Sequence, residues 1–205
     1  MKSALRRGFT LVELLIVIAL LGIIATIVIA AINPIEQSNR ANDGGRKSDA
    51  SQMVSAIERY YASHESFPWN DSTTPPVAEV EDPVVFVSAD TVGYGLCETA
   101  GVGCRTQTTH GPLITSLELQ TAFLNKSWIG ATVGEGLYIA KGDTASSSVY
   151  VCWAPRANSN RQKLIAADKV LTNSLDGDVP AVTAACPAEN SDGWDDGTCL
   201  ECVPE

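Results

Sequence analysis

Histidine is scarce in this chain of 205 residues, which contains only two, His64 and His110. Neither residue lies in a recognisable nucleophile, metal-binding or phosphate-binding motif. A serine, a histidine and an acid occur together in most proteins, so their presence alone does not indicate catalysis. We therefore expect a protein that is not an enzyme.

The chain also lacks an excess of positive charge, because it contains 14 Lys and Arg residues and 24 Asp and Glu residues. An acidic surface keeps a protein soluble and disfavours contact with the phosphates of nucleic acids. Arg156, Arg161 and Lys163 lie in one short segment, but they are explained most simply as solvent-facing charges. The sequence thus gives no support for nucleic-acid binding.

Charge is almost absent from Leu11 to Ile32, where Glu13 is the one charged residue. About 20 mostly apolar residues span a bilayer as a helix. A cleaved secretory signal fits less well, because its apolar region is usually roughly 7–15 residues long. A carboxylate at the centre of a membrane helix costs about 2.5–3.5 kcal/mol, so Glu13 needs a specific role. The flank before the run is basic, which predicts a cytoplasmic N-terminus; it contains Lys2, Arg6 and Arg7.

Residues 7–13 read Arg-Gly-Phe-Thr-Leu-Val-Glu. This stretch resembles the start of the type IV filament family, which comprises type IV pilins and the pseudopilins of type II secretion. The resemblance implies cleavage between Gly8 and Phe9 by a prepilin peptidase, followed by N-methylation at Phe9. It also implies that Glu13 pairs with the terminal amine of a neighbouring subunit and sets the assembly register. A hydrated Glu13 without a partner, near the membrane surface, is the alternative.

A proline follows the apolar run, and Pro34 is predicted to break the helix because proline removes a backbone hydrogen bond. Gly44-Gly45 is a second weak point. Apolar residues then recur at spacings of three and four, which predicts an amphipathic helix that seats a globular head. These residues are Ala50, Met53, Val54, Ile57, Tyr60 and Tyr61, with Arg46, Lys47, Asp49, Glu58 and Arg59 between them.

The remainder predicts a head with a small antiparallel sheet packed on the long helix, and hence an α+β fold. The resemblance implies that this fold is type IV pilin-like. Strand patterns occupy residues 84–88, 136–141 and 148–153, and a short helix lies within 112–126. Residues 164–171 fit either a strand or a helical turn. The expected organisation is a leader (1–8), a transmembrane and filament-core helix (9–32), an amphipathic continuation (33–63) and a globular head with a cysteine-rich C-terminal region (64–205).

An even number of cysteines in an exported, loop-rich head predicts up to three disulfides, whose connectivity the sequence does not specify. The six are Cys97, Cys104, Cys152, Cys186, Cys199 and Cys202. Cys97 and Cys104 form the easiest local pair. A bond between Cys152 and Cys186 would match the pilin habit of closing the C-terminal region. Cys199-Leu-Glu-Cys202 is also compatible with half a zinc site or a redox pair, but no second such pair and no thioredoxin-like pattern accompanies it.

The C-terminal region is acidic and rich in glycine, a combination that suits calcium. The candidate ligands are Asp176, Asp178, Asp192, Asp195 and Asp196. Major pseudopilins are similar in holding calcium in a C-terminal loop, although the spacing here does not fit the Asp-x-Asp-x-Asp-Gly pattern. A solvated turn without a metal is the alternative, and no other cofactor is expected.

The sequence therefore predicts a pilin, the structural subunit of a type IV pilus-like surface filament. It would begin as a single-pass precursor in the cytoplasmic membrane and end in an extracellular filament. The expected partners are other pilin subunits, a prepilin peptidase and an inner-membrane assembly platform. One alternative is a pseudopilin of a type II secretion system, and another is a membrane-anchored binding module that does not polymerise.

Overall fold

The computed structural model describes residues 8–72, 83–98, 104–130, 134–184 and 186–204. It divides into two compact units, of which the first ends at Ser38 and the second begins at Asn39. Helix α1 spans Leu11–Ala31 and helix α2 spans Pro34–His64. The second unit contains most of α2, a six-stranded sheet and the segments that connect the strands.

The helix break predicted at Pro34 is present, and it also starts the next helix. Proline suits the first position of a helix, where its missing N–H would have no intrahelical partner. The side-chain oxygen of Asn33 accepts a hydrogen bond from the backbone N–H of Glu36 at 3.2 Å. The carbonyl of Asn33 accepts another from the N–H of Gln37. By contrast, α2 continues through Gly44-Gly45 without interruption.

The predicted apolar stripe on α2 packs into the main hydrophobic core. Met53 and Ile57 are fully buried there, together with Ile139, Val151 and Trp153 from the sheet. Burial of such side chains contributes about 1.5–3 kcal/mol each. The stripe is therefore the surface on which the head is built, as the periodicity predicted.

All six strands are antiparallel, in the spatial order β1-β2-β3-β6-β4-β5. Their bounds are Val84–Ser88 (β1), Tyr138–Lys141 (β2), Val149–Trp153 (β3), Leu171–Asp176 (β4), Val179–Val182 (β5) and Cys199–Val203 (β6). The three predicted strand regions correspond to β1, β2 and β3, and the α+β class is confirmed. The other three strands were not predicted as such.

The short helices differ in detail from the prediction. Residues 112–126 form helix α3 (Pro112–Thr115) and a 3-10 helix (Thr121–Asn125) rather than one helix. Helix α4 (Asn158–Ala166) was missed, and residues 164–171 contain its end and the first residue of β4. A second 3-10 helix spans Asp192–Trp194.

Strand β3 shows why the sheet has two distinct faces. Successive side chains of a strand point to opposite sides. Val149, Val151 and Trp153 belong to the core that contains α2. Cys152 belongs to a second cluster, which includes Leu200 and Cys202. The sheet is thus apolar on both faces in its centre, and one face is closed by α2.

Candidate assembly site

Helix α1 presents an uncovered apolar surface. Its large side chains are exposed to between 47% for Val17 and 78% for Leu11. The segment Leu11–Ile29 has a mean hydropathy of 3.0, and none of its most apolar window is buried. A helix of 21 residues is about 30 Å long, close to the thickness of the bilayer core. By length and composition, α1 is therefore able to cross a membrane.

Glu13 lies in the first turn of α1 and forms a capping box with Thr10. The hydroxyl and backbone N–H of Thr10 both donate to Oε2 of Glu13, at 2.8 and 2.9 Å. The N–H of Glu13 donates to Oγ1 of Thr10 at 3.2 Å. Reciprocal capping of this kind satisfies N–H groups that have no partner within the helix. The carboxylate is therefore held at the N-terminal end of the apolar helix.

Gly8 and Phe9 precede the helix, and both are exposed. The Phe9 side chain is 88% accessible, and a Cβ placed on Gly8 would meet no other atom within 4 Å. The Gly8–Phe9 bond therefore lies just before α1 in a segment that nothing described covers. Residues 1–7 of the predicted leader lie outside the described residues.

Asp43 on α2 is buried and binds the segment that leads into α4. Its carboxylate accepts hydrogen bonds from the backbone N–H groups of Arg156 and Ala157, at 2.8 and 2.9 Å. It also accepts one from the side-chain amide of Asn160 at 2.8 Å. Arg156 and Ala157 directly precede α4, whose N-cap is Ala157, and Asn160 lies in its first turn. Asp43 thereby fixes α4 against α2.

Two further buried charges tie α2 to the head. Arg46 donates to the carbonyl of Ala154 at 3.2 Å, and burial, followed by the nearby charge of Arg156, lowers the pKa of its guanidinium. Asp49 accepts from Nε1 of Trp128 at 3.1 Å.

Asp49 also pairs with Lys126 at 2.7 Å. The roles of these buried charges were missed from the sequence. The signal was present, because Asp43, Arg46 and Asp49 follow one another at a spacing of three. Ala50 and Met53 of the apolar stripe lie four residues after Arg46 and Asp49, and hence on the same helix face.

All six cysteines form disulfides, which pair Cys97 with Cys104, Cys152 with Cys202 and Cys186 with Cys199. The local pair between Cys97 and Cys104 is the one that the sequence favoured. The hypothesis of a Cys152–Cys186 bond is wrong, because the unpredicted strand β6 places Cys202 directly opposite Cys152. Cys199 and Cys202 bond to different partners, so they form neither a redox pair nor half a zinc site.

Residues 187–198, here called the acidic loop, are organised by Arg161 of α4. The buried guanidinium donates to the carbonyls of Pro155 at 2.7 Å and Glu189 at 2.8 Å. It also donates to the carboxylate of Asp195 at 3.0 Å, and its Cζ lies 5.5 Å from the ring centroid of Trp194. The prediction that Arg161 is a solvent-facing charge is wrong, because its side chain is buried at the centre of this loop.

The calcium candidates fall into two separate places. Asp176 and Asp178 flank the turn between β4 and β5, whereas Asp192, Asp195 and Asp196 lie in the acidic loop. Among the residues that the structure describes, no three His, Cys, Asp or Glu side chains converge as a metal site would require. Hydrogen bonds from the side chain and backbone of Thr198 lower the pKa of the Asp196 carboxyl group.

Two comparisons with known proteins agree with this geometry. The family model described as a prokaryotic N-terminal methylation motif matches residues 4–29. A fimbrial protein of Neisseria meningitidis serogroup B (strain ATCC BAA-335 / MC58) is 35% identical over 71 residues. The aligned part spans 35% of this chain and 41% of that fimbrial protein. No solved structure matches this chain significantly.

The structure and these similarities are consistent with one another. An N-terminal methylation motif leads into an apolar helix, and an α+β head follows with three disulfides. These findings support a similarity of this chain to the type IV pilin family.

Proposed function

We propose that this protein is the structural subunit of a type IV pilus-like surface filament and polymerises through α1. The observation that carries the proposal is the uncovered apolar surface of α1 with one carboxylate, Glu13, in its first turn. Such a surface needs either lipid or other protein around it. The same helix serves as a membrane anchor before assembly and as a filament core afterwards.

Processing at Gly8 gives Glu13 a specific partner. Cleavage before Phe9 creates a terminal amine, whose ordinary pKa is about 8, so the amine is protonated at neutral pH. Because Glu13 lies in the first turn of α1, a neighbour displaced along the helix axis brings its own amine to the carboxylate. Breaking one side of a buried ion pair costs about 3–5 kcal/mol, so misaligned subunits are disfavoured.

The disulfides support the proposed orientation. Disulfides form and persist outside the cytoplasm, and all three lie in the second structural unit. The basic flank before α1 favours a cytoplasmic N-terminus. The head would therefore face outwards while an inner-membrane platform draws the processed subunit into the filament.

The pseudopilin alternative predicts a calcium-holding C-terminal loop. In this chain, Arg161 contacts the Glu189 carbonyl and the carboxylate of Asp195, which is one of the calcium candidates. A calcium ion at these oxygens would be repelled by the guanidinium. This contact favours the pilin over the calcium-dependent pseudopilin.

The first test is the intact mass and N-terminal sequence of protein sheared from the cell surface. The proposal expects a chain that begins at Phe9 and carries one added methyl group. A chain that begins at Met1 and remains in membranes would overturn it and favour an anchored module that does not polymerise.

The second test separates the charge of Glu13 from its capping role. Glu13→Gln retains an oxygen acceptor for the Thr10 N–H but removes the charge. It is expected to abolish surface filaments while the protein still accumulates in the membrane. Glu36→Gln, the same change in the first turn of α2, is the control and should leave filaments intact.

A further inference from the structure

A cleft of about 380 Å³ lies between α2 and α4, and its walls carry a group of basic side chains. Arg40 and Lys47 come from α2, and Lys163 comes from α4. Gly44 forms part of the wall without a side chain, and a Cβ placed there would meet nothing within 4 Å. A polar group is therefore able to enter as far as the backbone of α2.

The acidic residues that line the cleft already bind other groups of the same chain. The Asp43 carboxylate is turned towards the N-terminus of α4, where it accepts three hydrogen bonds. Glu201 pairs with Lys47 at 3.0 Å. Arg40 donates from Nε to Oγ of Ser159 at 2.7 Å, which holds its guanidinium beside α4. Arg40 and Lys163 thus give the mouth of the cleft a positive character in a strongly acidic chain.

The acidic loop carries the complementary charge in a fixed arrangement. Asp192 and Asp196 are exposed. The loop packs directly on the Cys186–Cys199 disulfide, because a Cβ on Gly193 would lie 2.6 and 2.7 Å from the two sulfur atoms. Because the fold already orders this loop, little conformational entropy is lost when the loop binds a partner.

The cleft and the acidic loop lie on opposite faces of α4. Asn160, Lys163 and Leu164 line the cleft, and positions separated by three and four residues share one helix face. Arg161 and Gln162, which bond to Glu189 of the loop, occupy the other face. One chain is therefore unable to place its own loop in its own cleft.

We propose that this cleft binds the acidic loop of a second copy of this chain, with Arg40 and Lys163 facing Asp192 and Asp196. The inference rests on the proposed filament function and specifies a contact between heads. Two different surfaces of one chain that bind each other form a head-to-tail contact, and such contacts generate open helical polymers. Because the charged groups are exposed, added salt weakens the contact.

The test uses the full chain in cells and measures the yield of sheared filaments. Lys163→Glu, and separately the double change Asp192→Lys with Asp196→Lys, are expected to lower the yield several-fold and to make filaments more sensitive to salt. Combining all three changes is expected to restore much of the yield, because the charges again match. Lys169→Glu is the matched control, an exposed lysine outside the cleft, and should behave like wild type.

Zero-length carbodiimide coupling supplies an independent readout. In wild-type filaments it should join Lys163 to Asp192 or Asp196 within a band of twice the subunit mass. The inference is overturned if wild-type filaments lack this product and Lys163→Glu gives the same filament yield as Lys169→Glu. That result would leave the proposed function intact. Wild-type cells without filaments would overturn both. Normal filaments that lose binding to a DNA oligonucleotide in Lys163→Glu would assign the cleft to nucleic acid instead.

Discussion

Cys152 on β3 and Cys202 on β6 lie directly opposite one another, with their Cα atoms 4.0 Å apart. They occupy the sheet face turned away from the α2 core, since their neighbours Val151 and Val203 belong to that core. Their bond joins the C-terminal strand to the centre of the sheet. It also closes a loop with a sequence separation of 50, whereas the Cys97–Cys104 bond has a separation of 7.

Removal of the cross-strand disulfide should therefore destabilise the head more than removal of the local one. The chain-entropy model gives about 4 kcal/mol for the larger loop and about 2 kcal/mol for the smaller. Urea unfolding of the full chain in detergent would compare Cys152→Ala/Cys202→Ala with Cys97→Ala/Cys104→Ala. Equal losses in the two double variants would contradict this ranking.

Replacement of Arg161 should loosen the acidic loop. Arg161→Lys keeps the charge but loses the planar fork that reaches two carbonyls and a carboxylate. Leaving the buried Pro155 carbonyl and the partly buried Glu189 carbonyl without donors is expected to cost about 1–3 kcal/mol. Amide hydrogen exchange should accelerate in residues 187–198, whereas Lys163→Arg, two residues away and exposed, should leave exchange unchanged. Unaltered protection in Arg161→Lys would show that the disulfide alone orders the loop.

Loss of the Asp43 carboxylate should release the start of α4. Asp43→Ala removes the acceptor of three hydrogen bonds from Arg156, Ala157 and Asn160. We expect a loss of about 2 kcal/mol in the free energy of unfolding, because the substitution leaves buried donors without an acceptor. Asn42→Ala, an exposed neighbour on α2, is the control. If both variants unfold at the same urea concentration, the position of α4 does not depend on this carboxylate.

The head should lose stability in alkali through Tyr60. Burial, and then its hydrogen bond to Asp71, raises the pKa of Tyr60 to about 12. An unfolded tyrosine titrates near 10. The raised value means that Tyr60 contributes its stability fully below about pH 10 and loses it as the pH rises towards 12.

Tyr60→Phe should therefore unfold with a shallower pH dependence in that range. The difference in tyrosinate absorbance between the two proteins isolates this one group among five tyrosines. A difference titration centred near 10 would contradict the assignment.

Removal of calcium distinguishes the pilin from the pseudopilin alternative. Because the Arg161 guanidinium already binds Glu189 and Asp195, a chelator is expected to leave the thermal midpoint unchanged, and added calcium should not raise it. A clear fall in the midpoint with chelator, reversed by calcium, would favour the pseudopilin. Magnesium addition after chelation serves as the control for ionic strength.

The sequence predicted the features that depend on local pattern. The apolar run, the break at Pro34 and the stripe through Met53 and Ile57 follow from helix periodicity and proline geometry, and each is present in the structure. Strands β1, β2 and β3 were recognisable because β-branched and aromatic residues fill them. Strand β6 was not recognisable from the sequence, because its two cysteines and one acidic residue obscure the strand pattern.

The N-terminal motif, the membrane-length helix and the α+β class were thus determined by the sequence itself, because each depends on residues that lie close together in the chain. Tertiary structure alone decided the partner of Cys152, the burial of Asp43 and Asp49, and the place of Arg161 in the acidic loop. These depend on which distant strands and helices meet. A charged residue has the same identity on a solvated face and in a buried hydrogen-bonded site, so only the fold distinguishes the two.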